Sequence, residues 1–408
     1  MKSKTVLWAV LVSCMIMLVH GCAIREEGQD IVQEKKETEE TRFYEPEQAE
    51  EKQTESETKT QIQTEEIQEL REVPELYYAY HCLDIEKQRV YLEMLDALTD
   101  MERDVRLSTV DKSMLDIVFA CVMNDHPELF YVEGYEFTEY MTDAVVTEIT
   151  FSGTYSTTAE EAEQIQLSIA QRLDDCFEQV PLNEDEYNTV KYLYDWLINN
   201  TEYDKEVENN QNIRSVFLQG KSVCQGYAKA MQYMLQKAGI QCLLVTGFTN
   251  GERHGWNLVR VNGSYYYLDP TWGDASYASS GTDSISQDFV PAINYDYFLV
   301  TTDEITRTHS IEKVVLLPVC NTLTDNYYVR EGLYFDSYDE EKLTHIFEGD
   351  IVKSTGCVTL KCSDDEIYTL VTQTLIGEQK IFDLIDKREA SIAYTFNDTQ
   401  RTISFWDL

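Results

Sequence analysis

The dipeptide Asn262-Gly263 constrains the fold more than any other feature, because it lies between two runs rich in strand-forming residues. Asn-Gly is the preferred two-residue turn of a β-hairpin, since both positions of a type I′ turn need positive φ. The turn therefore predicts that a strand at His254–Val261 pairs in antiparallel fashion with a strand at Ser264–Asp269. It also fixes the register, with Val261 opposite Ser264.

This register brings two titratable side chains together. Counted back from the turn, Trp256 lies opposite Asp269, and His254 lies opposite Thr271. Directly opposed residues share a face of the sheet, and so do residues two apart. His254 and Asp269 are then diagonal neighbours, roughly 7–8 Å apart between backbones, which an imidazole and a carboxylate can bridge. A β-bulge in the first strand would shift the register and separate them.

A helix precedes the hairpin. Apolar residues recur at helical spacing over Val223–Ala238, and Gly239 suits the residue after the helix. Ser222 followed by Gln225 matches a capping box, which predicts Ser222 as the N-cap. Cys224 then lies in the first turn, where free N–H groups and the helix dipole favour an anion. The thiolate is the nucleophilic form of cysteine, so this position favours reactivity.

Packing of the helix on the hairpin would complete a catalytic arrangement. His254 would accept the proton of the Cys224 thiol, and Asp269 would hold the imidazole in one tautomer. Taken singly, a packed cysteine, a solvated histidine and a turn aspartate are each unremarkable, but their shared face favours catalysis. The backbone N–H of Cys224 is a first oxyanion donor. Three side chains are candidates for the second donor: Tyr203, Gln225 and Trp272.

Three separated motifs carry a resemblance to a known family: VCQGYA at 223–228, HGWN at 254–257 and LDPTWGD at 268–274. Their order and spacing resemble the transglutaminase-like superfamily of papain-fold cysteine enzymes. The run at 192–204 is similar to the helix that commonly precedes the cysteine in bacterial members. The clear resemblance covers about residues 188–302.

The resemblance implies an α+β core in which the nucleophile begins a helix packed on an antiparallel sheet. It carries the roles of nucleophile, base and orienting group to Cys224, His254 and Asp269. Looser similarity at 125–132 and 308–320 resembles secreted members of Gram-positive bacteria. Gly255 stands where the family often has alanine.

Residues 1–22 have the features of a lipoprotein signal peptide. Lys2 and Lys4 precede an apolar run at Thr5–Val19, which is too short for a comfortable membrane span. The run ends in a segment that resembles a bacterial lipobox, in which Cys22 would be lipidated after cleavage. An ordinary signal peptide cleaved nearby is the alternative. We expect an exported chain, lipid-anchored to the outer face of the bacterial cytoplasmic membrane.

Residues 23–75 are predicted to be an acidic, disordered tether. Eighteen acidic and seven basic residues between Arg25 and Glu75 give a net charge of −11, and apolar residues show no sustained period. The whole chain carries −41, so the remainder is acidic too. This charge argues against partners such as nucleic acid or anionic lipid headgroups. The expected partners are a protein or wall-peptide substrate and, through the lipid anchor only, the membrane.

Three folded regions are expected after the tether: an N-terminal α+β region (76–185), the catalytic core (186–315) and a small C-terminal α+β domain (321–408). Helices are predicted at 85–98, 112–124, 158–179 and 338–347. Strands are predicted at 145–155, 241–248 and 294–302, with alternating runs at 366–373 and 391–396. The polar loop at 275–290, beside Trp272, is a candidate lid, although a plain surface insertion is equally consistent.

The sequence offers no site for a cofactor or metal. It has no Cys-x-x-Cys pair, no histidines at metal-ligand spacing, no phosphate-binding glycine loop and no dinucleotide fingerprint. His81 and His126 are interpreted as structural. Ten cysteines less Cys14, Cys22 and Cys224 leave an odd number, which argues against a complete disulfide framework.

The predicted chemistry is a thioester between Cys224 and a peptide or glutamine carbonyl. Water would resolve it in a protease or amidase, and an amine would resolve it in a transglutaminase. Because the triad is the same for both, the residues do not decide, and hydrolysis is favoured only because water is always present. The alternative function is a catalytically idle surface module that binds a partner through the cleft.

Overall fold

The computed structural model describes residues 70–182, 185–274, 293–385 and 392–408. The signal peptide with Cys22, the tether up to residue 69 and the candidate lid lie outside the described residues. Within the described ranges, helices are combined with mostly antiparallel sheets, so the α+β class is confirmed. No helix in these ranges is long and apolar enough to cross a bilayer.

The N-terminal region places helices against a three-stranded antiparallel sheet of order β1-β3-β2. Its elements are α1 (Tyr78–His81), α2 (Ile85–Thr99), β1 (Val105–Arg106), a 3-10 turn (Lys112–Met114), α3 (Leu115–Asp125), β2 (Val132–Thr142), β3 (Val145–Tyr155) and α4 (Ala159–Gln179). The three predicted helices and the strand at 145–155 are confirmed. Strand β2 was not predicted, because its interspersed glutamates and half-buried positions obscure the alternation.

The core contains a four-stranded antiparallel sheet of order β8-β7-β6-β9, with α7 packed against β7. Its elements are α5 (Glu186–Asn199), β4 (Glu202–Tyr203), α6 (Ile213–Gln219), β5 (Lys221–Ser222), α7 (Cys224–Lys237), β6 (Cys242–Thr249), β7 (Glu252–Val261), β8 (Ser264–Leu268), α8 (Pro270–Gly273), α9 (Thr302–Ile305) and β9 (His309–Glu312).

The hairpin prediction is confirmed. Val261 pairs with Ser264, and the same register continues without a shift to Asn257 and Leu268. Asn262 and Gly263 have φ values of 48° and 82°, as a type I′ turn requires. The hairpin therefore delivers His254 and the residue after β8 to the same end of the sheet.

The predicted strand at 294–302 is wrong. Val300 forms only an isolated bridge with Tyr267, while Leu299 has a φ of 51° and Phe298 closes a turn onto Tyr295. The apolar character of the run comes from burial against α5, where Phe298 packs on Tyr194 with ring centroids 4.9 Å apart.

The C-terminal region has its own hydrophobic core and a sheet of order β10-β11-β13-β12. Its elements are α10 (Tyr327–Arg330), β10 (Tyr334–Phe335), α11 (Glu340–Phe347), α12 (Asp350–Thr355), β11 (Val358–Cys362), α13 (Asp365–Thr372) with a π-helical turn (Gln373–Gly377), α14 (Ile381–Leu384), β12 (Ala393–Asn397) and β13 (Thr402–Trp406). The alternating run at 366–373 is helical rather than extended, because Asp364 caps α13 through the N–H groups of Glu366 and Ile367.

Buried polar contacts join this region to the core. The carboxylate of Asp296 accepts hydrogen bonds from the Tyr328 hydroxyl at 2.6 Å, the Asn397 amide at 2.8 Å and the Thr402 hydroxyl at 2.9 Å. The N-terminal region contacts the core as well, since the amide of Gln236 on α7 donates to the Asp125 carbonyl at the end of α3, at 2.9 Å. Both flanking regions thus contact the elements that carry the candidate site.

Candidate active site

Helix α7 begins at Cys224 without a side-chain cap. Its N-cap is Val223, in extended conformation. Ser222 instead belongs to β5, where its hydroxyl donates to the Asn210 carbonyl at 2.7 Å and lies 2.9 Å from the Ser215 hydroxyl. The capping-box prediction is therefore wrong, because the Ser222 hydroxyl is hydrogen-bonded to the loop that carries Asn210. The first N–H groups of α7 therefore have no capping side chain and remain available to bind an anion.

Two glycines determine how closely α7 approaches its surroundings. A Cβ on Gly226 would lie 1.9 Å from the Ser222 hydroxyl oxygen and 2.8 Å from the Asn210 carbonyl oxygen, so only glycine fits. A Cβ on Gly255 would lie 3.5 Å from the Cα of Gln225, which is ordinary contact. The alanine common in the family would therefore fit at Gly255. The same contact shows that the start of α7 lies directly over β7, beside His254.

His254 is buried on β7 and lies between the predicted partners. Its Nε2 is 2.7 Å from Oδ2 of Asp269, which leaves Nδ1 as the ring nitrogen available to the Cys224 thiol. Burial lowers the pKa of His254, but the charge and hydrogen bond of Asp269, together with the hydrogen bond and charge of Cys224, raise it to about 10. His254 is therefore favoured in its protonated form at neutral pH.

Asp269 is fully buried and accepts four hydrogen bonds. Its Oδ1 caps α8 by accepting from the backbone N–H groups of Thr271 at 2.9 Å and Trp272 at 3.2 Å. Its Oδ2 accepts from His254 and, unexpectedly, from His309 at 3.0 Å. Burial raises the pKa of Asp269, but the charge and hydrogen bond of His254 and the hydrogen bond from His309 outweigh it and hold the pKa well below its ordinary value. The carboxylate is therefore ionised at neutral pH.

Sequence reasoning missed His309. This residue begins β9, is buried, and places its Nδ1 2.8 Å from the Thr308 hydroxyl. Strand β9 pairs with β6 some sixty residues earlier, with Thr249 opposite His309. No turn motif in the sequence predicts a pairing between strands this far apart. The only available signal was the looser similarity around residues 308–310.

Aromatic rings enclose the two histidines. Trp256 lies 5.9 Å from the His254 ring and 4.8 Å from the His309 ring, between centroids. Trp272 lies 5.0 Å and Tyr297 lies 5.5 Å from the ring of His309. This apolar enclosure keeps bulk water away and strengthens the electrostatic interactions inside it.

The remaining motif residues hold the elements together. The Asn257 amide donates to the Ala228 carbonyl at 2.9 Å, which ties β7 to α7. The Tyr227 hydroxyl donates to the Asp274 carboxylate at 2.8 Å, which ties α7 to the end of α8. The Tyr194 hydroxyl lies 3.3 Å from the Asp269 carbonyl and donates to it. The motifs therefore encode the support of the triad as well as the triad itself.

The three candidates for a second oxyanion donor occupy different positions. Gln225 follows Cys224 on α7, and Tyr203 lies on β4, which pairs with Ser222 of β5. Trp272 packs on the histidine rings, and its indole N–H has no hydrogen-bond acceptor among the described residues. The geometry brings Gln225 and Trp272 to the triad and leaves Tyr203 one strand away.

Two predictions about ligands and cysteines can be compared with the structure. His254, Asp269 and His309 place three possible metal-ligand atoms within 4.8 Å of one another, a grouping that the sequence spacing did not predict. Both histidines already donate to one carboxylate oxygen, so hydrogen bonds satisfy this group. The eight cysteines in the described ranges are free thiols. His81 and His126 lie elsewhere, bonded to the Pro74 carbonyl and to Glu128.

Part of the chain that carries these residues is similar to a known family of proteins. Residues 176–270 match the sequence model of the Transglutaminase-like superfamily. The kyphoscoliosis peptidases of Mus musculus and Homo sapiens are each 28% identical over 127 residues, covering 27% of this chain. The match spans only 18% of the length of those relatives. A solved structure of a TGase aligns over 39% of this chain and 48% of its own, with 14% identity and a TM-score of 0.26. Residues 176–270, which include Cys224, His254 and Asp269, are thus similar to the Transglutaminase-like superfamily.

Proposed function

We propose that this transglutaminase-like domain is a cysteine acyl-transfer enzyme that forms a thioester on Cys224 and resolves it with water. The observation that carries the proposal is the arrangement of Cys224 at the uncapped start of α7, where it interacts with His254, and His254 is hydrogen-bonded to Asp269. The similarity to the kyphoscoliosis peptidases, which are named as peptidases, supports a peptide or amide substrate.

Acylation begins from the thiolate–imidazolium pair. The sulfur of Cys224 attacks the carbonyl carbon, and the carbonyl electron pair moves to oxygen. The backbone N–H of Cys224 donates to this oxyanion, helped by the positive end of the helix dipole. As the oxyanion collapses, the carbon–nitrogen bond breaks and His254 gives its proton to the leaving amine. The product is a thioester on Cys224 and a neutral His254.

Deacylation reverses these proton movements. Neutral His254 takes a proton from water, and the resulting hydroxide attacks the thioester carbon. The carbon–sulfur bond breaks, the carboxylic acid leaves, and Cys224 returns as a thiolate beside protonated His254. Asp269 stays ionised throughout and stabilises the imidazolium, as its four hydrogen bonds favour.

The proposed setting is the outer face of the bacterial cytoplasmic membrane. There the chain would be lipid-anchored through Cys22, with the acidic segment at 23–75 acting as a tether. The substrate would be a surface protein or a wall peptide, and no nucleic acid is expected to bind because the chain is strongly acidic. Radiolabelled palmitate incorporation that persists in Cys22→Ala cells would contradict the anchor.

The test uses the chain from residue 23 onward, which keeps every described residue. It is incubated with an unfolded, glutamine-bearing protein and a fluorescent primary amine, with Cys224→Ala as the control. New amino termini, or conversion of glutamine to glutamate, that depend on Cys224 support hydrolysis. Amine incorporation that depends on Cys224 would show that an amine, and not water, accepts the acyl group. Neither product, together with a Cys224 that iodoacetamide does not alkylate, would refute the enzyme and favour the idle binding module.

A further inference from the structure

We infer that His309 is a positioning residue of the catalytic network, which fixes the Asp269 carboxylate so that one oxygen faces His254. This role rests on the proposed function, because it concerns the same site. His309 is fully buried and its Nε2 lies 3.0 Å from Oδ2 of Asp269, the oxygen that also accepts from His254. The triad is thereby extended to a fourth side chain that does not touch the thiol.

The orientation of the carboxylate follows from its four donors. The N–H groups of Thr271 and Trp272 hold Oδ1, and the two histidines hold Oδ2. A carboxylate bonded on both oxygens cannot rotate about its Cβ–Cγ bond without breaking a bond. If His309 were absent, one buried acceptor site on Oδ2 would face the aromatic enclosure unpaired, which is costly for an ionised group.

Thr308 selects the tautomer that this role needs. Because Oδ2 of an ionised carboxylate only accepts, the proton of a neutral His309 must lie on Nε2. Nδ1 is then an acceptor, and the Thr308 hydroxyl, 2.8 Å away, is placed to donate to it. Thr308 thus stabilises one tautomer of His309, as Asp269 stabilises one tautomer of His254.

The C-terminal region holds the segment that carries His309. Helix α9 leads into this segment, and its Glu304 pairs with the buried Lys361 of β11 at 2.9 Å. The Gln400 amide donates to the Glu304 carbonyl at 3.3 Å, and Arg307 donates to the Thr399 carbonyl at 3.2 Å. These contacts connect the C-terminal sheet to the catalytic network through the position of His309.

The test compares two substitutions in the chain from residue 23 onward. His309→Gln keeps an N–H donor near the place of Nε2, whereas His309→Phe keeps a planar ring without a donor. Peptide mass spectrometry follows alkylation of Cys224 by iodoacetamide from pH 4 to 10. The titratable groups facing Asp269 are His254, His309, Tyr194 and Tyr297.

We expect His309→Phe to slow alkylation of Cys224 at pH 6 by about 10-fold or more, since it removes a hydrogen bond to a charged group. The acid limb of the pH–rate profile of His309→Phe should move to higher pH, because Asp269 loses a hydrogen-bond donor that favours its ionised form. His309→Gln should stay within about 3-fold of the native rate. Equal slowing by both variants, or no slowing by either, would overturn the positioning role.

A second measurement tests the inference on the native chain, so it can be made even if His309→Phe does not fold. Nitrogen-15 labelled histidine in the native chain reports each ring's tautomer, and we expect His309 protonated on Nε2 only. Protonation on Nδ1 would refute the assignment. His254→Ala separates the two proposals. If it leaves the alkylation rate unchanged, the proposed function fails, whereas a rate that depends on His254 but not on His309 refutes this inference alone.

Discussion

Replacing Asp269 by asparagine removes the charge that keeps His254 protonated while preserving size and one acceptor oxygen. In the native chain, burial lowers the pKa of His254, yet Asp269 and Cys224 together raise it from 6.5 to about 10. That increase corresponds to about 5 kcal/mol in favour of the imidazolium. Without the Asp269 charge, burial dominates, and His254 should be mostly neutral at pH 7.

The magnitude of the expected effect follows from this energy. This energy is a net value, in which the contributions of Asp269 and Cys224 together exceed the opposing effect of burial, and Cys224 supplies part of the increase. We therefore expect the rate of Cys224 alkylation at pH 6 to fall by about 100-fold to 1000-fold in Asp269→Asn. The variant should recover reactivity only as the pH becomes alkaline, where a thiol ionises without an imidazolium beside it.

The assay reads each thiol separately by peptide mass spectrometry after brief treatment with iodoacetamide. Cys82 is exposed, and partial desolvation raises its pKa, so it serves as an internal reference in the same sample. The matched control is Asp325→Asn, which removes another buried carboxylate, one that accepts from Tyr266 on the same hairpin. An Asp269→Asn profile that coincides with the native profile would refute the reasoning.

Three further predictions concern the free energy of unfolding, measured by urea denaturation. Gly226→Ala should cost about 1–3 kcal/mol because its Cβ would lie 1.9 Å from the Ser222 hydroxyl oxygen, whereas Gly255→Ala should stay within about 0.5 kcal/mol. Equal losses would contradict the packing. His254, with a raised pKa, should stabilise fully below pH 6.5 and lose this contribution as the pH rises through about 10. Asp269, with a lowered pKa, should stabilise above pH 3.8 and lose its contribution as the pH falls. The advantage of the native chain over Asp269→Asn should therefore shrink as the pH rises from 6.5 to about 10, and a constant advantage would be inconsistent with this. Lys361→Met should cost about 3–5 kcal/mol by leaving Glu304 buried and unpaired, and adding Glu304→Gln should recover much of it.

Local chemistry explains what could be predicted from the sequence. A type I′ turn depends only on Asn262 and Gly263, so the register and the meeting of His254 with Asp269 followed from two residues. Helix α7 has strong periodicity, and Gly239, with a φ of 81°, ends it as predicted. Such features do not depend on distant parts of the chain.

Long-range competition explains what could not be predicted. Ser222 has the sequence pattern of an N-cap. Its hydroxyl instead donates a hydrogen bond to the Asn210 carbonyl, and its backbone belongs to β5, which pairs with β4. His309 reaches Asp269 only because β9 pairs with β6, and the intervening chain carries no signal of that pairing. The aromatic run at 294–302 resembles a strand in sequence. Its apolar side chains are explained by burial against α5 and not by pairing in a β-sheet. In these three cases tertiary packing decided the outcome.

The most direct test of the central claim is to trap the acyl group on Cys224. The chain from residue 23 onward is mixed with an unfolded protein substrate, quenched in acid, where thioesters persist, and digested for peptide mass spectrometry. The account predicts a mass increase on the Cys224 peptide that hydroxylamine removes and that His254→Ala reduces. An unmodified Cys224 peptide during measurable substrate turnover, or an adduct on another cysteine, would contradict it.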